Sequence, residues 1–319
     1  MKDQFQREIN YLRISVTDLC NLRCCYCMPE KGVEKYSHEQ ILSVEEISEI
    51  ARACAELGIT KIRLTGGEPL VRKGILDICK EISSIPQIKE LCLTTNGLLL
   101  KKYAENLRKA GVDRLNISLD TLQNEKYKRL TRCKISGSPV ADIFDGIRAA
   151  EEAGFQNTKI NAVLIGGTND DEIHDFIELT KEKPYQIRFI ELMPIGEASS
   201  WEKSCFIPNE TVLEKDSRLK YVGESGVARL YKVDGYQGCI GLISPVNHHF
   251  CSKCSRLRLT ADGKFKACLH SSAETPVRGL HGDELRETIR KQIANKPENY
   301  QLSYENPSST ARNMNQIGG

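Results

Sequence analysis

Up to Leu192 the chain repeats one alternation. A short run of apolar or alternating apolar positions gives way to a longer stretch in which apolar residues return every three or four. The short runs predict strands over 12–16, 61–65, 90–94, 114–119, 159–165 and 186–192. The longer stretches predict helices over 43–58, 74–85, 101–110, 141–153 and 170–181. The first helix opens on a capping box, Ser43 with Glu46 three residues on, and stops at Gly58. Strands alternating with helices imply parallel βαβ units. Six of them predict an α/β protein, either an incomplete (β/α)6 barrel or an open doubly wound sheet. In both architectures ligands gather at the carboxyl ends of the strands. The unusual residues of this sequence fall there: Thr17-Asp18-Leu19-Cys20 after the first strand, Gly66-Gly67-Glu68-Pro69 after the second and Thr95-Asn96-Gly97 after the third.

The rhythm changes after Met193. Pro, Gly and Ser become frequent through 194–208, and from Tyr221 the runs suit short antiparallel strands, with Asp262-Gly263 as a hairpin signal. A division follows into a larger unit, 1–220, and a smaller antiparallel module, 221–319.

Composition narrows the class. The 319 residues are 40% hydrophobic and 28% charged, as expected of a globular protein with a sizeable core. A net charge of +2 gives no basic footprint for nucleic acid. The first eight residues lack the apolar stretch of a signal peptide, and no apolar run approaches a membrane span, so a cytoplasmic protein is expected. Thirteen cysteines stand out against this background. In a reducing compartment they favour metal binding over disulfides.

Two cysteine sets carry the chemistry. Cys20, Cys24 and Cys27 form CxxxCxxC. Three thiolates can hold three irons of a four-iron cluster and leave the fourth open. Structural zinc wants four ligands, and no histidine lies near this trio. The glycines of Gly66-Gly67-Glu68-Pro69 let the backbone come close to a ligand, and Tyr26 supplies an aromatic wall. The second set is Cys251, Cys254 and Cys268. Here zinc, with His248, His249 or His270 as fourth ligand, fits as well as a second cluster. A two-residue hairpin loop would set Cys268 opposite Leu257. A three-residue loop would set it opposite Arg256, the register expected if Cys268 and the arginines serve one site. Arg256 and Arg258 share a strand face, and guanidinium forks suit phosphate oxygens. Cys25 is expected only to pack, and Cys54, Cys79, Cys92, Cys133, Cys205 and Cys239 to be buried small hydrophobes.

The first trio followed by Gly-Gly-Glu on the next strand resembles the radical S-adenosylmethionine (SAM) superfamily. The segments 12–18, 62–70, 93–97, 116–120, 187–193, 250–268 and 317–319 together resemble the GTP 3′,8-cyclase family of molybdenum cofactor biosynthesis. That resemblance implies a partial radical SAM barrel with a C-terminal module carrying a second iron–sulfur cluster. It implies two 4Fe-4S clusters, SAM as cosubstrate, removal of the 3′ hydrogen of GTP and bonding of C3′ to C8. It assigns Cys20, Cys24 and Cys27 to the SAM cluster, and Cys251, Cys254 and Cys268 to the auxiliary one. Tyr26, Gly67, Ser118 and Met193 would contact SAM. Arg13, Arg63, Thr94, Lys159, Arg256 and Arg258 would bind GTP, and the Gly318-Gly319 tail would enter the site. An electron donor, a downstream cyclic pyranopterin synthase and a homodimer are the implied partners. Leu19 departs from the arginine common in the family. A peptide-modifying radical SAM enzyme and a non-enzymatic iron–sulfur or zinc protein are the rival readings.

Overall fold

The computed structural model describes residues 1–34 and 36–318. The six expected strands are β1 (Tyr11–Ser15), β2 (Lys61–Thr65), β3 (Glu90–Thr95), β4 (Arg114–Ser118), β5 (Lys159–Leu164) and β6 (Gln186–Glu191), each within one residue of its expected bounds. They lie side by side in chain order, all parallel. The helices between them are α1 (Val44–Glu56), α2 (Ile75–Ser83), α3 (Leu100–Lys109), α4 (Asn124–Thr131), α5 (Pro139–Glu152) and α6 (Ile173–Glu178). The capping box of α1 is made, with Glu46 N donating to Ser43 Oγ at 3.1 Å and Ser43 N to Glu46 Oε2 at 2.7 Å. The helix expected over 170–181 is a 3₁₀ turn running into the shorter α6.

After α7 (Glu210–Lys215), the strands β7 (Lys220–Ser225), β8 (Ala228–Lys232) and β9 (Cys239–Ile243) form an antiparallel meander whose last strand lies parallel to β6. β10 (Arg256–Leu259) lies parallel to β1 at the opposite edge, followed by β11 (Lys264–Lys266) and β12 (Thr275–Pro276), both antiparallel. The strands after residue 220 thus extend the same sheet at both ends, and twelve strands form one sheet among the described residues. A further helix, α8 (Gly282–Ala294), packs on α1.

β5 shows how the sheet is organised. Ile160, Ala162 and Leu164 are buried in the core, whereas Lys159, Asn161 and Val163 line a cavity on the other face. Side chains from β10 at one edge and β9 at the other line that same cavity, so the sheet is curled into an open barrel. The inner face of a filled barrel carries bulky apolar layers. Here that face is polar and hollow.

The hairpin of β10 and β11 has the three-residue loop. Arg258 pairs with Lys266 and Leu259 with Phe265, and Thr260 N donates to Lys264 O at 2.9 Å. Gly263 closes the loop with φ +78°, a left-handed conformation that glycine adopts without strain. Continued outward, this register sets Cys268 opposite Arg256.

Candidate active site

Cys20, Cys24 and Cys27 sit in the loop after β1 and line the cavity, whose volume is about 400 Å³. Two strand ends and a helix hold the loop. Gly67 N donates to Thr17 O and Glu68 N to Leu19 O, both at 2.8 Å. A Cβ on Gly67 would stand 2.1 Å from Leu19 O, and one on Gly66 2.3 Å from Thr17 O. The glycines therefore serve first to seat the cysteine loop against the end of β2. Leu19 joins this brace through its carbonyl while its side chain is exposed. Arg23 N and Cys25 N donate to Thr131 O and Leu130 O at 2.8 and 2.9 Å, fastening the loop to α4. Half-buried Cys25 packs against a small apolar cluster of Leu130, Ile165, Leu192, Ala198 and Phe206, as expected of a packing residue. Cys54, Cys79 and Cys92 are buried, but Cys133, Cys205 and Cys239 are only half-buried because they lie at element ends and in loops.

Two buried carboxylates organise the strand ends. Glu68 accepts from Thr95 Oγ1 and Asn96 N, both at 2.7 Å, and from Leu70 N at 3.0 Å. Asp120 accepts from Tyr26 Oη at 2.7 Å and Val163 N at 2.8 Å. Burial pushes Glu68 up to about 7 and Asp120 up to about 6. Ser118, Met193 and Thr94 line the same cavity, and Thr94 Oγ1 accepts from Arg63 Nη1 at 3.3 Å.

Cys254 and Cys268 line the far end of the cavity, and Cys251 is buried beside them. Among the histidines considered as a fourth ligand, His248 pairs with Glu210 Oε1 at 3.0 Å. His270 packs on Tyr300 with ring centroids 3.9 Å apart and sets Nδ1 3.2 Å from Ser308 Oγ. Glu191, which lies in the 187–193 segment but was given no role there, shapes the approach to this set. It accepts from Val246 N, Asn247 N and Asn247 Nδ2 at 2.9–3.1 Å.

Between the two sets runs a band of cations. In register, Arg258, Arg13 and Arg63 are direct neighbours across β10, β1 and β2. Like charges directly opposite one another destabilise a sheet, so this arrangement is suited to an anion. Burial, then Arg258, pushes Arg13 well below its usual range. Burial and Arg256 bring Arg258 to about 10, while burial and Arg188 bring Lys159 to about 7. Arg188 and Lys61 join the band in the cavity wall, and neither was among the expected residues. Gly241 on β9 makes room for Arg188, since a Cβ there would lie 3.2 Å from Arg188 Cγ. Asn116 and Asn161 also line the cavity, and the Oδ1 of each is buried without a hydrogen-bond partner among the described residues. Such acceptors want a donor from outside the chain.

The C-terminal segment enters from one side. Arg258 Nη1 donates to Ile317 O at 2.9 Å and Gly318 O at 2.7 Å. Asn315 Nδ2 donates to Asp18 O at 3.0 Å, and the Asn315 N–H points at the Cys27 thiol. Gly319 lies outside the described residues.

The donors suit iron–sulfur clusters. Each trio offers three soft sulfurs, and Cys20 and Cys27 each accept a backbone N–H, from Leu22 and Asn315, of the kind that tunes cluster thiolates. Without metal, burial holds the Cys20 and Cys27 thiols up at about 11 and about 12, whereas coordination deprotonates a thiol outright.

A curled α/β sheet with a three-thiol loop after its first strand and a glycine brace after its second defines a radical SAM protein, and the Radical SAM superfamily model matches residues 14–180. The Molybdenum Cofactor Synthesis C model matches residues 185–302. GTP 3′,8-cyclases of Alkaliphilus metalliredigens and Moorella thermoacetica are 49% and 44% identical over the whole of both chains. That of Listeria monocytogenes is 43% identical over the whole of this chain and 99% of its own. The chain belongs to the GTP 3′,8-cyclase family of radical SAM enzymes, and its cofactors are two 4Fe-4S clusters and SAM. Two solved structures share the fold. Native anSMEcpe with bound AdoMet has a TM-score of 0.59 at 13% identity, over 91% of this chain and 81% of that one. Streptococcus suis SuiB has 0.58 at 15%, over 89% and 68%. No helix among the described residues is long and apolar enough to cross a membrane.

Proposed function

We propose that this chain converts GTP to 3′,8-cyclo-7,8-dihydro-GTP, the first step of molybdenum cofactor biosynthesis, in the cavity between its two cysteine sets. The observation that carries the proposal is that one cavity is lined from both sets, with the Arg258–Arg13–Arg63 row between them. A triphosphate carries close to four negative charges and needs several such partners. Cys20, Cys24 and Cys27 hold the SAM cluster, and Cys251, Cys254 and Cys268 the auxiliary cluster. Together the reduced first cluster and SAM supply a hydrogen-abstracting 5′-deoxyadenosyl radical when bound. Tyr26, Gly67, Ser118 and Met193 contact SAM. Tyr26 does so from a ring fixed by Asp120. Arg13, Arg63, Thr94, Lys159, Arg256 and Arg258 bind GTP and hold its ribose toward the first trio. The labour divides near residue 220: 1–220 serves SAM, and 221–319 supplies the auxiliary ligands and the tail. A cytoplasmic homodimer, served by an electron-transfer protein and passing its product to a cyclic pyranopterin synthase, completes the reading.

The test is anaerobic reconstitution followed by incubation with SAM, dithionite and GTP. Two four-iron clusters correspond to about eight irons per chain. 5′-Deoxyadenosine should accumulate as GTP disappears. SAM cleavage indifferent to GTP would favour a peptide-modifying enzyme, and zinc in the second site would overturn the two-cluster assignment.

A further inference from the structure

The second cysteine set comes from two segments: Cys251 and Cys254 share a 3₁₀ turn just before β10, with Cys254 N donating to Cys251 O at 3.1 Å, and Cys268 lies beyond β11. Two buried cations outside every motif reach both segments. Arg7, 7% exposed, gives Nη1 to Cys251 O at 2.9 Å. Lys296, 2% exposed, gives Nζ to Ala267 O at 2.6 Å and Arg256 O at 2.9 Å. The cations are also tied together. Arg7 donates to Lys296 O at 3.4 Å, Pro297 O at 2.7 Å and Glu298 O at 2.8 Å, and its Nε pairs with Asp3 Oδ2 at 2.6 Å. With Cys251 O this occupies all five guanidinium donors.

The two cations differ in charge balance. Arg7 has Asp3 as its partner. Lys296 contacts carbonyls and lines the cavity, and no carboxylate pairs with it among the described residues. A buried ammonium is costly without a counter-charge, and a thiolate-ligated cluster at Cys254 and Cys268 would supply one. We infer that Arg7 and Lys296 are positioning residues of the second cluster: Arg7 fixes the turn of Cys251 and Cys254, and Lys296 ties the start of β10 to the Cys268 segment and balances the cluster's negative charge. The inference rests on Cys251, Cys254 and Cys268 being the ligands and deepens that reading. Net charge and nearby donors set the potential of an iron–sulfur cluster, so Lys296 raises it.

The test uses the full chain carrying Arg7→Gln, Arg7→Lys, Lys296→Gln, Lys296→Arg or Cys251→Ala, reconstituted anaerobically. Iron content, cluster midpoint potentials by redox titration, and SAM cleavage without GTP are then measured. Arg7→Gln should fall from about eight to about four irons per chain and still cleave SAM. Lys296→Gln, whose amide still has donors for the Arg256 and Ala267 carbonyls, should keep its iron but show a lower midpoint potential for the second cluster, restored in Lys296→Arg. Wild-type iron and potential in both variants would overturn the inference. Should Arg7→Gln not fold, Arg7→Lys decides: selective loss of the second cluster supports the inference, and parallel loss of both clusters overturns it in favour of a general folding role. If Cys251→Ala retains about eight irons, the ligand assignment has failed rather than the clamp.

Discussion

Alanine at Gly67 tests whether the glycine pair braces the cysteine loop. The new Cβ would stand 2.1 Å from Leu19 O and 2.8 Å from Asp18 O, so the loop must retreat by close to 1 Å. The retreat breaks or stretches two hydrogen bonds, Gly67 N to Thr17 O and Glu68 N to Leu19 O. At about 1 kcal/mol each, plus about 1–3 kcal/mol for overpacking, the variant should lose roughly 3–5 kcal/mol. The loss should appear in urea unfolding of the cluster-free protein, where neither iron nor SAM contributes. In reconstituted protein, a displacement of this size beside Cys20 should slow SAM cleavage by about 10²-fold. A Gly67→Ala variant that unfolds within about 0.5 kcal/mol of wild type would refute the brace. If it also lost SAM affinity, Gly67 would be acting on the cosubstrate alone.

Five further outcomes follow from other parts of the structure. Lys159 is held at about 7 by burial and by Arg188, so GTP binding at pH 8 should take up a proton and weaken as pH rises above 7. Calorimetry in buffers of different ionisation enthalpy should show that uptake disappear in Lys159→Met. Because the folded pKa is depressed, the charge penalises folding fully below about pH 7 and is relieved as pH rises toward the ordinary lysine value near 10.5, so Lys159→Met should raise the Tm most on the acid side. Gln6 holds φ +64°, and Gln6→Gly should stabilise by about 1 kcal/mol in denaturant titration. Gly263→Val meets Arg278 Cβ and Leu42 Cδ2 at 2.9–3.0 Å in a left-handed turn, and should cost roughly 2–4 kcal/mol in the same titration. Arg256→Ala should weaken GTP binding, measured by equilibrium dialysis, while iron in the first set stays at about four per chain.

The parallel half of the fold was legible because its strands alternate cleanly and its helices carry long apolar stripes. α8 was missed although Leu285, Ile289 and Ile293 recur every four residues, because the region around it looked like short strands. That β9 and β10 would close on β6 and β1 was not legible, since pairing across most of the chain leaves no local trace. At the site, the spacing of the cysteines and of the arginine pair marked residues that the fold brings to one cavity, Cys20, Cys24, Cys27, Cys254, Arg256, Arg258 and Cys268 among them. Arg7, Glu191, Asn161 and Lys296 carried no such mark, because each acts through carbonyls, N–H groups or the cavity, and these depend on the folded backbone rather than on neighbours in sequence. The role of Gly67 was half legible: close approach was expected, but the partner is the chain's own loop.

The continuity of the sheet also dictates an order of assembly. Arg7 and Cys251, which touch in the finished molecule, are 244 residues apart, and β1 has no neighbour on its outer side until β10 exists. Contacts of such separation form late and slowly. During synthesis, the strand that leads into Cys20 therefore waits with an open hydrogen-bonding edge while nearly the whole chain emerges, a state prone to aggregation. A chain cut at residue 220 would keep that edge permanently, and would lose β9 from the other side as well. The two cysteine sets are thus not separable cassettes that mature in turn. The cavity that Cys20, Cys24 and Cys27 line is completed only when the segment bearing Cys254 and Cys268 has arrived.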